Sequence, residues 1–452
     1  MKIVNHVSSK AFFFIWLWMF LIIPPAWSLS KAVNATQIPS DFAADNKHVS
    51  LSGEWKFKSG KLGKAIESIS KEEIEHWEDI RVPANGYFEG KNISGAAWYS
   101  EFFTLPVLPS NKKVLLKFEG VDYMAEVWLN GKYIGMHDGY FQPFNFDISE
   151  AIVLGRENHL IVKVNSPLEK MVEDWSLHKR YIKGIFGHHD TRPGGAWSAR
   201  GQEQNTGGIW GAVSLEIHDM AIVDEVKVTP HLNLNSHSSS ADIQLHVGLK
   251  QKASKPVKIQ FNIKPFNFPS TQSVSKEITQ TLLSGFNSVY VPIKVEKPEL
   301  WWPWDQGKPN LYQLTINVVA DNQVLDTKTT TFGFRDVRYD KAKNDWHING
   351  RRMFLRGTNY IATQWLSEMT AERFGQDIAL MKAANINIVR VHAHVTSEDY
   401  YRLCDEVGLL NWQDFPLQWG YVDYDSFTQN AVRQARDMVN NLFNHPSIIV
   451  GA

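Results

Sequence analysis

The chain has 452 residues, of which 43% are hydrophobic and 21% charged, and its formal net charge is −1. A hydrophobic fraction of this size is typical of a globular protein and excludes an intrinsically disordered one. Because acidic and basic residues nearly cancel, nothing in the charge favours binding to nucleic acid or to an anionic membrane, and we expect neither partner. A chain of this length predicts about three domains rather than one core.

Residues 1–28 are typical of a secretory signal peptide. Lys2 and Lys10 flank the apolar run 11–23, and small residues then precede a predicted cleavage site before Leu29. A membrane anchor is the alternative, but these thirteen residues would span about 20 Å as a helix, short of the ~30 Å hydrocarbon core. We therefore predict a secreted or periplasmic protein without a stable membrane anchor.

The segment 29–220 contains short strand-like runs and no persistent helical period. The clearest runs of β-branched and aromatic residues are 113–118, 125–129, 132–134 and 159–164. Asn130-Gly131, between the second and third runs, is a pair that tolerates the positive φ angles of a tight hairpin. The pattern predicts an antiparallel β-sandwich.

A second all-β region covers residues 221–334. Its predicted strands include 243–249, 257–263, 288–295 and 311–319. Strands at this spacing over about a hundred residues predict a seven-stranded, immunoglobulin-like sandwich.

From residue 335 onward, strands alternate with helices. The predicted strands are 353–356, 387–391, 409–413 and a run that begins at 448, and the predicted helices follow Thr370, follow Ser397 and cover 426–444. In the last helix, Val432, Ala435, Val439 and Leu442 are predicted to face the core. Three βα units followed by a strand predict the opening of a parallel α/β fold.

Motifs in all three regions resemble those of glycoside hydrolase family 2. They are VWLNGKYIG at 127–135, FNFDI at 144–148, GGIW at 207–210, LWWPW at 300–304, FGFR at 332–335, LRGTN at 355–359 and NHPSII at 444–449. The resemblance implies a multidomain fold with a galactose-binding-like jelly-roll β-sandwich (29–220), an immunoglobulin-like β-sandwich (221–334) and an incomplete (β/α)8 TIM barrel (335–452). It implies that residue 452 lies in the fourth barrel strand.

The same resemblance implies a retaining exo-β-glycosidase that acts on carbohydrate. Such enzymes need two carboxyl groups about 5–5.5 Å apart, one to attack the anomeric carbon and one to protonate the leaving oxygen. In the family, the acid/base Glu follows the His-Pro-Ser run and the nucleophile lies on the seventh barrel strand, so we expect both beyond Ala452. We therefore expect residues 1–452 to be inactive alone, and we expect no cofactor and no metal ion.

Six candidate substrate-binding residues follow or end predicted barrel strands, where barrel chemistry collects. They are Asn359, Arg390, His392, His394, Trp412 and Asp414. Four of them have an alternative role: the arginine could brace the barrel core, the aspartate could be a structural hydrogen-bond acceptor, and the two histidines could bind a metal. Two further carboxylates, Asp405 and Glu406, are predicted on the polar side of a helix end.

The jelly-roll region contributes two further candidates, Arg192 and Trp197. They lie in the polar-aromatic loop 188–197, and related enzymes insert a comparable loop into the barrel mouth to hold the terminal sugar. The alternative is a surface loop that is ordered by its glycine and proline residues.

Two features, one departure from the family pattern and one similarity to particular branches of the family, indicate the sugar. Galactosidases and glucuronidases of the family usually place a His two residues after the Asn at 359, where this chain has Ile361. The runs LCDEVG at 403–408 and WQDF at 412–415 are more similar to the mannosidase and glucosaminidase branches. We therefore favour β-mannoside or β-glucosaminide over β-galactoside or β-glucuronide. A non-catalytic carbohydrate-binding protein and a pseudoenzyme are the alternatives, and we make no prediction of oligomeric state.

Overall fold

The computed structural model describes residues 36–37, 48–91, 93–169, 179–187, 204–219, 221–234, 240–251, 254–418 and 420–451. The predicted signal peptide and the candidates Arg192 and Trp197 lie outside the described residues. Within these ranges, none of the helices is long and apolar enough to cross a membrane.

Within the described residues, the first sandwich has eleven strands and one short α-helix. They are β1 (Thr36–Gln37), β2 (His48–Ser50), β3 (Gly53–Ser59), α1 (Lys71–Glu75), β4 (Glu78–Val82), β5 (Gly95–Thr104), β6 (Lys113–Phe118), β7 (Met124–Leu129), β8 (Lys132–Asp138), β9 (Phe144–Asp147), β10 (Glu157–Ser166) and β11 (Val213–His218). One sheet has the order β4-β3-β5-β10-β7-β8, with β1 paired to β5, and the other has the order β2-β11-β6-β9. This is the predicted jelly roll.

Alternating side chains build the core of this sandwich. Along β7, every second residue is buried, and the buried ones join one cluster with residues of the facing sheet such as Leu116 and Leu215. Asn130 and Gly131 have φ angles of 53° and 80°, as a two-residue turn between β7 and β8 requires. The predicted hairpin is therefore confirmed.

In the second sandwich, the residues that the structure describes form seven strands in two sheets. They are β12 (Ala221–Asn233), β13 (Ser240–Gln251), β14 (Lys255–Pro265), β15 (Val274–Leu282), β16 (Gly285–Glu296), β17 (Tyr312–Ala320) and β18 (Gln323–Phe332). The sheet orders are β12-β13-β16 and β15-β14-β17-β18. Along β17, buried and half-buried residues alternate without interruption, which is the pattern of a strand with one face on the core. The immunoglobulin-like fold is confirmed.

A small antiparallel sheet connects this domain to the barrel. It contains β19 (Val337–Asp340), β20 (Asp345–Ile348) and β21 (Arg351–Met353). The prediction of a first barrel strand at 353–356 is wrong, because the chain leaves the small sheet at Met353 and Phe354 is 76% exposed. The parallel sheet begins four residues later.

The described residues of the barrel portion, 357–418 and 420–451, form a four-stranded parallel sheet with three α-helices. Its elements are β22 (Gly357–Tyr360), α2 (Ala371–Ala383), β23 (Ile388–Val391), α3 (Glu398–Val407), β24 (Leu410–Gln413), α4 (Asp425–Leu442) and β25 (Ile448–Gly451), and the strand order follows the chain. Thr370 caps α2 by accepting a hydrogen bond from the Arg373 amide. Gly408 ends α3 in the left-handed conformation. The predicted opening of a parallel α/β fold is confirmed.

The predicted inner face of α4 is only partly correct. Leu442 is buried as predicted, but Val432 and Val439 are 56% and 54% exposed. The helix instead buries Gln434 and Met438. Gln434 donates to the Tyr123 hydroxyl at 2.9 Å, so a polar residue occupies the inner face because the jelly roll supplies its partner.

Candidate functional site

Three side chains form a row across the parallel sheet, which we call the polar row. The strand register pairs Asn359 with Arg390, and Arg390 with Trp412. Because successive side chains of a strand point to opposite faces, all three project from one face. Trp412 is 37% exposed, and the Arg390 side chain is 45% exposed. In a closed barrel, this face is the interior at the carboxyl ends of the strands.

Asp414 joins the polar row from the end of β24. Arg390 donates from Nε to Asp414 Oδ1 at 3.0 Å, and its Nη2 lies 2.8 Å from Oδ2. The backbone N–H of Ala393 donates to Oδ2 at 3.0 Å. A bidentate arginine and a backbone amide thus hold a carboxylate that is only 5% exposed. Asp414 is therefore an oriented hydrogen-bond acceptor, and its occupied lone pairs make it a poor nucleophile.

The two candidate histidines separate in the structure. His392 Nδ1 lies 3.4 Å from Asp414 Oδ2, and the His392 side chain is 22% exposed. His394 is 1% exposed, and its Nδ1 lies 2.9 Å from its partner, the His392 carbonyl oxygen. Burial lowers the pKa of His394 to about 4. It is therefore neutral at pH 7 and lies outside the polar row, whereas His392 borders that row.

Nothing in the geometry supports a metal centre at these histidines. Across the part of the chain that the structure describes, there is no group of three or more His, Cys, Asp and Glu side chains that could hold a metal ion.

The sequence did not identify two residues that organise this site. Gln413 is buried, accepts from the Tyr401 hydroxyl at 2.7 Å and donates to the carbonyl oxygens of His394 and Asp414, both at 2.7 Å. Tyr140 of the jelly roll places its hydroxyl on the backbone of Val395. The sequence could have indicated Gln413, because this residue lies in the WQDF run. It could not have indicated Tyr140, because no local pattern predicts a contact between residues that are 255 positions apart.

Asp405 does not lie on the polar side of its helix as predicted. It is 2% exposed, accepts from the Ser447 amide at 3.0 Å, and lies 2.6 Å from His445 Nδ1. Burial opposes a charge on His445, but the Asp405 carboxylate outweighs it and raises the pKa of His445 to about 10. This ion pair joins the end of α3 to the start of β25, on the opposite side of the sheet from the polar row. Glu406 is half-buried and pairs with Arg402 at 2.9 Å.

Two β-sandwiches followed by βα units, with polar and aromatic groups at the strand ends, define the class of barrel proteins that carry accessory sandwich domains. Three family models match the chain in order. They are "Glycosyl hydrolase 2 galactose-binding domain-like" at 91–215, "Glycosyl hydrolases family 2" at 221–335 and "Glycosyl hydrolases family 2, TIM barrel domain" at 341–451. The chain belongs to glycoside hydrolase family 2.

Characterised relatives agree with this membership. A β-galactosidase of Thermoanaerobacterium thermosulfurigenes is 26% identical over 89% of this chain and 53% of its own length. A β-mannosidase B of Emericella nidulans is 27% identical over 90% of this chain and 50% of its own length. The crystal structure of a β-D-mannosidase from Dictyoglomus thermophilum superposes with a TM-score of 0.73 at 26% identity and covers 89% of this chain and 52% of that one. The chain thus spans about half the length of the relatives that it matches.

Proposed function

We propose that the protein is a retaining exo-β-glycosidase that binds the terminal sugar of its substrate at the polar row. The observation that carries this proposal is the alignment of Asn359, Arg390 and Trp412 at one level of three neighbouring parallel strands. An amide, a guanidinium and an exposed indole can together bind sugar hydroxyls and an apolar sugar face.

Within the polar row, each residue has a distinct role in this proposal. The Trp412 indole supplies the flat apolar surface, and the Asn359 amide supplies both a donor and an acceptor. Arg390 uses Nε and Nη2 to hold Asp414, and among the described residues this leaves Nη1 available to a hydroxyl. Asp414 keeps the guanidinium in one orientation, which limits the entropy lost when a sugar binds.

Asp414 does not serve as either catalytic carboxylate in this proposal. A retaining glycosidase needs one carboxylate that is free to attack and one carboxylic acid that gives up its proton. Asp414 is occupied by Arg390 and Ala393, and Asp405 by His445 and Ser447. We propose that both catalytic groups are glutamates of barrel strands outside residues 1–452, and that a protein made of residues 29–452 alone releases no aglycone.

We propose β-mannosides, or next β-glucosaminides, as substrates. The support is Ile361 in place of the His of galactosidases and glucuronidases, together with the WQDF run whose Trp412 and Asp414 lie at the polar row. A galactosidase and a mannosidase are nearly equally identical to this chain. Overall sequence identity therefore does not distinguish between the two sugars.

A panel of p-nitrophenyl β-glycosides tests this proposal on two proteins, residues 29–452 and a protein in which the barrel is complete. We expect release of nitrophenol only from the complete barrel, with kcat/KM highest for the mannoside or the glucosaminide. A tenfold preference for galactoside, about 1.4 kcal/mol in transition-state binding, would contradict the proposed sugar. Turnover by residues 29–452 that survives repurification would contradict the proposed catalytic groups.

Trp412→Ala tests the proposed site within the complete barrel. Removing the exposed indole should lower kcat/KM about tenfold, as expected for the loss of one apolar contact of ~1.4 kcal/mol. Phe266→Ala is the control, because Phe266 is a 46% exposed aromatic of the immunoglobulin-like domain. Equal effects of the two substitutions would place the sugar elsewhere.

We also propose that the protein is exported and cleaved before Leu29, on the basis of the sequence of residues 1–28. N-terminal sequencing of protein recovered from the periplasm or the medium tests this. A mature chain that retains Lys2 would refute it.

A further inference from the structure

The loop 392–396 connects β23 to α3 and borders the polar row. Its backbone groups bond to partners from two domains. From the barrel, Asp414 accepts from the Ala393 amide and Gln413 donates to the His394 carbonyl oxygen. The jelly roll supplies the other partners.

Tyr140 of the jelly roll makes the first of these cross-domain contacts. Its hydroxyl accepts from the Val395 amide at 2.7 Å and donates to the Val395 carbonyl oxygen at 3.2 Å. Tyr140 is 1% exposed, and its own carbonyl oxygen accepts from the Trp210 indole at 2.7 Å. One buried hydroxyl therefore satisfies both the amide and the carbonyl oxygen of Val395. A water molecule could replace this hydroxyl only if the site had room for it.

Gly184 makes the second contact possible. Ile185 donates from its amide to the Ala393 carbonyl oxygen at 3.2 Å. A Cβ atom on Gly184 would lie 1.8 Å from that same oxygen, so only glycine permits this approach. Ala393 has a φ angle of 49°, a left-handed conformation that costs an alanine on the order of 1 kcal/mol and needs external support.

These contacts converge on the polar row through Ala393. The Ala393 carbonyl oxygen is held by the jelly roll, and its amide donates to the Asp414 carboxylate that orients Arg390. We propose that Tyr140 and Gly184 are positioning residues of the sugar site, which hold loop 392–396 so that Ala393 keeps Asp414 and Arg390 in their binding orientation. The expected effect on sugars rests on the proposed function; the effect on the loop does not.

Amide hydrogen exchange tests the loop directly. In Tyr140→Phe, the Val395 amide loses its acceptor, and we expect the amides of Val395 and Ala393 to exchange about tenfold faster, as the loss of one buried hydrogen bond predicts. Tyr312→Phe is the matched control. Its hydroxyl, buried in the immunoglobulin-like domain, accepts from the Glu299 amide at 2.9 Å, so that variant loses a comparable bond far from the loop.

A second pair of variants tests Gly184 without removing a hydroxyl. Gly184→Ala places a methyl group against the Ala393 oxygen at a φ angle of 50°. Gly63→Ala adds one at a φ angle of 83°, also positive, with nothing within 4 Å. We expect faster exchange at Ala393 only in Gly184→Ala. Unchanged exchange at Ala393 in both Tyr140→Phe and Gly184→Ala would overturn the proposal.

Hydrolysis of p-nitrophenyl β-D-mannoside by the protein in which the barrel is complete tests whether the loop positions the residues that bind the sugar. We expect Tyr140→Phe to lower kcat/KM about tenfold at 25 °C, below its unfolding temperature, and Tyr312→Phe to match the wild type after a similar fall in Tm. Faster exchange with wild-type kcat/KM would overturn the positioning role. If the wild type hydrolyses no aryl β-glycoside, the proposed function fails, and exchange at Ala393 alone decides whether the jelly roll holds this loop.

Discussion

The two sandwiches contact the parallel sheet in different ways. The immunoglobulin-like domain inserts Trp301 under the sheet, where it is fully buried with Ile388 and Leu410, and the indole N–H donates to the Asp405 carbonyl oxygen at 2.9 Å. The jelly roll instead contacts the loops at the carboxyl ends of the strands, through Tyr140 and through Asn85, whose Oδ1 accepts from the Ser367 amide at 3.0 Å. The first contact, which we call the lower junction, fills the space under the sheet with apolar side chains. The second, which we call the upper junction, supports the loops at the carboxyl ends of the strands.

This difference agrees with the different roles of the two ends of a barrel. The amino ends of the strands are usually a stability face, and the carboxyl ends hold the chemistry. Apolar burial beneath Ile388 and Leu410 stabilises the sheet without constraining the polar row, which lies one layer higher on the same strands. Hydrogen bonds to loop backbone are directional, so the jelly-roll junction can orient Ala393 and its neighbours. Substitutions at the first junction should therefore change stability, and those at the second should change the site.

The largest effect should come from the lower junction. Trp301→Ala removes a fully buried indole from a cluster shared by two domains, and we expect a loss of about 3–5 kcal/mol in the free energy of unfolding. Urea denaturation of the chain measures it. The control is Trp302→Ala, because Trp302 is half-buried and packs against Arg351, whose guanidinium lies 4.5 Å from the ring centroid. Equal losses for the two variants would show that Trp301 is not the anchor of this junction.

The next largest effect is a difference in stability between substitutions on the two faces of α4. Met438 is 6% exposed, and Met438→Ala should cost about 2–4 kcal/mol. Val439 is 54% exposed, and Val439→Ala should change stability by less than about 0.5 kcal/mol. Urea denaturation of both variants decides the helix orientation. A larger loss for Val439→Ala would restore the face predicted from the sequence.

This helix shows why the fold was more predictable than its contacts. The hairpin at Asn130-Gly131, the cap at Thr370 and the end of α3 at Gly408 depend on local backbone preferences, which are readable from neighbouring residues. The inner face of α4 depends on Tyr123, which is 311 positions away and makes a buried glutamine favourable. Local periodicity carries no information about such a partner.

In the candidate site, too, local features were predictable from the sequence and features that depend on distant contacts were not. The predicted strand ends indicated that Arg390, Trp412 and Asp414 lie close together, because parallel strands place their carboxyl ends at one edge of the sheet. The separation of His394 from His392 depends on packing against Phe186 of the jelly roll, with ring centroids 5.6 Å apart. The burial of Asp405 depends on His445, 40 residues later. In both cases, a contact from another part of the fold decides which face of a short segment is polar.

The smallest effect per unit of pH is a pH dependence of stability that differs between the neighbourhoods of the two junctions. Beside the lower junction, Asp405, whose carbonyl oxygen accepts from Trp301, pairs with His445, and the folded pKa of His445 is about 10 against an ordinary value of 6.5. Its contribution to stability is therefore fully present below pH 6.5 and is lost as the pH rises through 10. At the upper junction, burial lowers the pKa of His394 to about 4. Its contribution is present above pH 6.5 and is lost as the pH falls through 4.

Urea denaturation between pH 4 and pH 10 should thus give a stability maximum near pH 6.5, with each histidine changing the free energy of unfolding by at most about 1.4 kcal/mol per pH unit. His445→Gln should reduce the slope of the alkaline limb and leave the acid limb, because it removes a group whose pKa is raised; His218, whose pKa is raised to about 9, keeps part of that limb. His394→Gln should reduce the slope of the acid limb and leave the alkaline one. If His445→Gln instead flattens the acid limb, the charge that Asp405 holds on His445 is not what joins α3 to β25.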